Sequence, residues 1–97
     1  MRQFRLHAEA ERDLLGGAAY YNAHRPGLGR LFVIEVRNTC ETVAQFPESG
    51  SQMSSTIRRR LVRRFPFAVY YSVIDDEVLV LAVAHQARLP GYWRRRP

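Results

Sequence analysis

Residues 58–85 read RRRLVRRFPFAVYYSVIDDEVLVLAVAH, and this stretch decides the fold. Its apolar and β-branched runs are broken twice. At Phe65-Pro66-Phe67 a proline, lacking a backbone donor, ends ladder pairing. At Asp75-Asp76 two short polar side chains that tolerate positive φ stand between YYSVI and EVLVLAV, a hairpin signal. The pattern predicts three consecutive antiparallel strands, entered through Arg58, Arg59, Arg60, Arg63 and Arg64. Period two assigns the faces. Val69, Tyr71 and Val73 share one side of the middle strand and Ala68, Tyr70 and Ser72 the other; in the last strand Leu79, Leu81 and Val83 oppose Val78, Val80, Ala82 and Ala84. One face must meet helices. The second is apolar too, which predicts a surface left open for a partner.

Working back from the meander, Glu48 to Ser55 (ESGSQMSS) has no periodicity and reads as a polar loop. Before it, Leu28, Phe32, Val36, Thr39 or Cys40, and Val43 form a helical stripe, opposite Arg30, Arg37, Asn38, Glu41 and Gln45; the helix starts near Leu28 or Gly29 and ends at Phe46-Pro47. Cys40 on that stripe reads as a buried small hydrophobe. Pro26-Gly27 separates this helix from an earlier one over Ala8 to Arg25, whose inward positions are Ala10, Leu14, Ala18 and Tyr21. Glu9, Glu11 and Asp13 suit the positive end of its dipole, whereas His7 stands where Ser, Thr or Asp would normally cap. Gly16-Gly17 either frays the helix or lets another element approach closely. Gln3 to Leu6 alternates and predicts an edge strand. The expected fold is an α+β two-layer sandwich, β-α-α-β-β-β, with a helical hairpin on one face of a mainly antiparallel sheet.

At 97 residues the chain is expected to form one domain, 1–97, with room for two layers. The longest apolar run, Val78 to Ala84, is far short of the ~20 residues that cross a bilayer. The start MRQFRLHAEAERD has no secretory pattern and one cysteine closes no intrachain disulfide, so a cytoplasmic location is expected. All 15 basic residues are arginine. Residues 1–48 hold six arginines and six acids, whereas residues 49–97 hold nine and three, so the second half carries the whole net charge of +6. Such a field suits nucleic acid or an acidic protein segment.

His7, His24, His85 and Cys40 lack metal-ligand spacing, and Pro26-Gly27-Leu28-Gly29 lacks the lysine and context of a phosphate loop, so no metal or cofactor is expected. The candidate constellation is His85, Arg88, Tyr92, Trp93 and Arg94 to Arg96, with Arg58, Arg60, Arg63 and Arg64. RNA cleavage through a 2′-hydroxyl needs a proton acceptor, a proton donor and cations on the phosphate. Arginine supplies the cations, and His85 offers the side-chain type suited to proton transfer at neutral pH. A histidine closing a strand also serves as a hydrogen-bonded anchor. Tyr92 and Trp93 can stack on bases or fold back on the sheet as a hydrophobic clasp.

Phe65-Pro66-Phe67-x-Val69-x-Tyr71, the Asp75-Asp76 hairpin and the ending His85-x-x-Arg88-x-Pro90-x-Tyr92-Trp93-x-x-Arg96 resemble the ParE branch of the RelE/ParE superfamily of type II toxin-antitoxin toxins. Ala10, Leu14, Tyr20-Tyr21, Pro47 and Gly50 extend the likeness over the whole chain. The resemblance implies a toxin neutralised by a cognate antitoxin whose acidic, partly disordered C-terminal segment wraps it. It implies DNA gyrase as target, and on the reading of the residues themselves Arg58, Arg60, Arg63, Arg64, His85, Arg88, Tyr92, Trp93 and Arg96 are the candidate contacts to target or antitoxin. The RelE-like alternative is a ribosome-dependent mRNA endonuclease using His85, Arg64, Arg88 and Tyr92. A third reading, from composition alone, is a small basic nucleic-acid-binding protein.

Overall fold

The computed structural model describes residues 3–87. Strand β1 (Phe4–Leu6) leads into α1 (Ala8–His24), which turns at Gly27 into α2 (Leu28–Gln45); after one 3-10 turn at Pro47–Ser49 come β2 (Ser51–Gln52), β3 (Arg58–Leu61), β4 (Phe67–Ile74) and β5 (Glu77–His85). The sheet order is β1-β5-β4-β3-β2. The meander is antiparallel, and β1 closes its outer side in parallel with β5, Phe4 opposite Val78 and Leu6 opposite Val80. The α+β sandwich is the one expected, with one strand more: Ser51–Gln52, read as loop, pairs with Arg58 and Arg59. A strand of two polar residues carries no apolar alternation to be read.

The helix boundaries follow the local chemistry. His7 caps α1 after all, its Nδ1 accepting the Glu9 amide at 3.0 Å, so an imidazole stands in for the missing hydroxyl or carboxylate. Gly27 takes φ 89° at the start of α2, a conformation that glycine adopts without Cβ strain. Gly17 is the close approach: a Cβ there would lie 2.6 Å from the Phe32 ring, while Gly16 faces open space. Phe32 is fully buried and its ring packs edge-on against Phe65 and Phe67 and tilted against Tyr21. Cys40 is buried on the same helix, as expected.

Three expectations about the strands are corrected. The first connection spans residues 62–66 rather than beginning at Phe65, and its positive φ (69°) falls on Arg64. The second connection is the predicted Asp75-Asp76 turn, with φ 50° and 66°. Along β5 the faces do not alternate as period two predicts: Tyr70 pairs with Ala82 but Tyr71 with Val80, so Leu81 is an extra residue. This bulge shifts the parity, and Val78 and Val80 join Val83, Val69 and Tyr71 in the core. Val73, placed by period two on the side of Val69 and Tyr71, is 44% exposed and outside the core cluster.

The sheet face away from the helices is not the open apolar surface that was expected. Ala68, Leu81, Ala82 and Ala84 are 1%, 9%, 0% and 3% exposed, yet none belongs to the core cluster beneath the helices. Leu61, at 54% exposed, marks its rim.

Candidate functional site: arginine entrance and helix-strand groove

Strand parity divides the arginines at the entrance. Arg58 and Arg60 pair with Tyr71 and Val69 and point to the helix side. There Arg58 donates to the Gly50 carbonyl at 2.8 Å and Arg60 to the Ser49 carbonyl at 3.3 Å. Both are half-buried and fasten the 3-10 turn to the sheet. Arg59 pairs with Tyr70 and faces the other side. Arg63 is exposed. Arg64, held at positive φ, places Nε 3.5 Å from the Glu35 carboxylate. Glu35 lies on the inward side of α2 and its side chain is 11% exposed, a position that the apolar stripe did not disclose.

The turn that these arginines hold is centred on Tyr71. Its hydroxyl donates to the Pro47 carbonyl at 2.6 Å and accepts the Gly50 amide at 3.1 Å. A Cβ on Gly50 would meet that hydroxyl at 2.5 Å, which explains glycine there. Burial raises the phenol pKa; the Gly50 amide and the charges of Arg58 and Arg60 oppose the shift.

His85 ends β5 on the helix side. Its ring meets Phe67 edge-on at 5.2 Å, and Nδ1 accepts the Ala87 amide at 3.0 Å. The neutral ring therefore carries its proton on Nε2. It lines an open hollow of about 580 Å³ between α1 and the β4–β5 end, with Arg12, Asp13, Gly16, Tyr20 and Phe67. Asp13 reaches from α1 to the outer edge of β5 and accepts the Val83 amide at 3.0 Å, just past the last residue that β1 covers. The sequence showed Asp13 as a first-turn acid; its strand-edge role depends on the crossing of α1 over β5. Arg88, Tyr92, Trp93 and Arg96 lie outside the described residues.

His85 thus faces α1, and Arg64 is paired with Glu35 on α2. Among the described residues no group of three or more His, Cys, Asp and Glu side chains is placed to hold a metal. No described helix is long and apolar enough to cross a membrane.

Fold and charge together define a small basic α+β domain, a helical hairpin packed on a mainly antiparallel sheet. Residues 4–90 match the family described as ParE toxin of type II toxin-antitoxin system, parDE, and the chain belongs to that family. Toxin ParE2 of Mycobacterium tuberculosis is 28% identical over 91 residues, covering 93% of this chain and 87% of that one. Toxin RelE2 of Caulobacter vibrioides is 26% identical over 77 residues, 79% of this chain and 86% of that one. The solved chromosomal ParDE TA system from P. aeruginosa superposes with a TM-score of 0.77 at 18% identity, covering 88% of this chain and 96% of that one, a likeness of fold.

Proposed function

We propose that this ParE-family toxin acts in the cytoplasm by binding DNA gyrase and is neutralised by an acidic antitoxin segment. The observation that supports this reading is the separate engagement of two candidate residues: His85 lines the α1 groove, and Arg64, a cation and not a proton donor, is paired with Glu35. Proton transfer in RNA cleavage needs donor and acceptor on the same phosphodiester. Asp13 shares the groove, but its carboxylate holds the β5 edge. An exposed basic surface is suited to recognition, and arginine and aromatic side chains are the types that dominate interfaces.

The antitoxin segment is assigned to the α1–β5 groove, where Tyr20 and Phe67 offer apolar surface and Arg12 offers charge. The test is purified chain against purified gyrase. Supercoiling should be blocked, and equimolar antitoxin should restore it. Normal supercoiling together with mRNA cut in codon phase in induced cells would overturn the gyrase assignment in favour of the RelE-like one. In that case His85→Ala should abolish cleavage, because losing a general acid or base costs roughly 100-fold to 10,000-fold in rate.

A further inference from the structure

Helix α1 shows solvent two flanks. Arg12, Asp13, Gly16 and Tyr20 line the groove beside β5, whereas Glu11, Leu15, Ala18 and Asn22 recur at intervals of three and four along the side next to α2. On that side a shallow hollow of about 360 Å³ lies between the helices, over Ala18, Ala19, Asn22, Gly29, Arg30 and Val33. Part of its shape has an internal cause. Gly29 carries no Cβ because one would strike the Ala18 carbonyl where the helices cross. Leu15 has no such cause. One turn of α1 before the hollow it stands 68% exposed, more than any other large apolar side chain among the described residues. Ile34, on the neighbouring stretch of α2, is 44% exposed.

We propose that this flank of the helical hairpin docks a second copy of the chain about a two-fold axis, with Leu15 of each copy seated in the hollow of the other. A two-fold interface must carry knob and hole on one surface. Here the hollow begins three and four residues beyond Leu15, about 5 Å along the helix, so an axis through α1 between them seats both leucines at once. The same axis sets α1 antiparallel to its copy, and the residue four before Leu15 then comes to the turn end of the hollow. Glu11 of one copy thereby meets Arg30 of the other, twice over; both side chains are exposed. Arg37, level with Leu15, would approach its own copy, and Glu41 one turn along α2 offsets its charge. Overall charge points to the same occupant. Residues 8–45 hold four arginines and five acids, a balance of −1, so the net +6 lies outside the two helices. The helical layer is where a basic chain can meet itself, and it offers an acidic antitoxin segment no net attraction. Residues 11–22 span about 17 Å, so the patch belongs with small, transient interfaces, and the dimer should form and dissociate over a micromolar range.

Sedimentation velocity of the full chain, made by cell-free synthesis and run over a series of micromolar concentrations, should show a reversible monomer–dimer equilibrium. Leu15→Glu, at a position already in water, should weaken it at least about tenfold with the urea midpoint retained. If that variant does not fold, the charge pair decides. Glu11→Arg and Arg30→Glu should each weaken the dimer several-fold, and the double variant should return to within about twofold of wild type, which two independent structural effects would not do. A wild-type chain that stays monomeric up to its solubility limit overturns the proposal. So does a dimer indifferent to Leu15→Glu, or a pair of charge reversals whose losses add instead of cancelling. Loss of antitoxin binding by Leu15→Glu, with the wild-type chain monomeric, would overturn it too and give the flank to the antitoxin.

Discussion

Tyr71 shows how one side chain joins two layers. Its ring is fully buried in the core, while its hydroxyl satisfies one carbonyl and one amide in the turn after α2. Tyr71→Phe keeps the packing and strands both groups, which should cost about 1–3 kcal/mol. Urea denaturation measures it; a midpoint within error of wild type would mean that water reaches Gly50 and Pro47 freely. Cys40 gives a pH-dependent counterpart. Burial pushes its thiol from an ordinary value near 9 to about 12, with Glu41 adding to the shift and Arg37 opposing it. The folded state holds the thiol neutral while the unfolded chain ionises first. Stability from this group is thus complete below pH 9 and falls as pH rises towards 12, by about 1.4 kcal/mol per pH unit. Cys40→Ala should flatten that part of the stability curve. In wild type, labelling of the thiol by a disulfide reagent should keep pace with unfolding, and rapid labelling of folded protein would contradict the burial.

At the level of elements, the core rests on Phe32 filling the notch left by Gly17. Phe32→Ala should cost about 3–5 kcal/mol, a large share of a small domain's stability. Gly17→Ala should destabilise as well, because the ring it would strike is held by Tyr21, Phe65 and Phe67. Both are read from denaturant midpoints, and a loss below 1 kcal/mol for Phe32→Ala would place the wrong helix face inward. The bulge supplies a sharper test: Val80→Ala should cost more than Leu79→Ala, the reverse of the order that strict alternation along β5 predicts. These elements also mark how far the sequence could be read. Helix spacing, the Pro26-Gly27 break and the Asp75-Asp76 turn are local signals, and each led to the right element. The parity shift at Leu81 was hidden because β5 is apolar on both faces, so sliding it by one residue leaves the pattern unchanged. Strand β2 was hidden because Ser51 and Gln52 are polar on both sides. In the site, Arg58 and Arg60 were legible as residues, but their roles depend on the Gly50 and Ser49 carbonyls that the turn after α2 brings within reach, and Glu35 was masked by sharing a helix with a clean apolar stripe.

For the whole molecule the governing quantity is charge. The net +6 lies in the second half of the chain, and the arginines there have unequal freedom. Arg58 and Arg60 spend hydrogen bonds on backbone carbonyls and Arg64 faces Glu35, whereas Arg63 is exposed in the turn between β3 and β4. On the proposed function, an acidic antitoxin segment approaching from solution would feel all of them at long range, but only an exposed arginine can be removed without loosening the fold. Charges of that kind govern encounter more than residence, because screening by salt acts on separated partners while a formed interface is held by packing. Arg63→Glu should therefore slow association with the antitoxin and weaken its dependence on ionic strength, leaving the dissociation rate within about twofold and the urea midpoint unchanged. Arg64→Glu should instead lower stability, since it sets a second carboxylate beside the nearly buried Glu35. Surface plasmon resonance at three salt concentrations separates the two. Equal association rates for wild type and Arg63→Glu at low salt would show that the antitoxin approaches from the other side of the sheet, and the basic turn would then be reserved for the target.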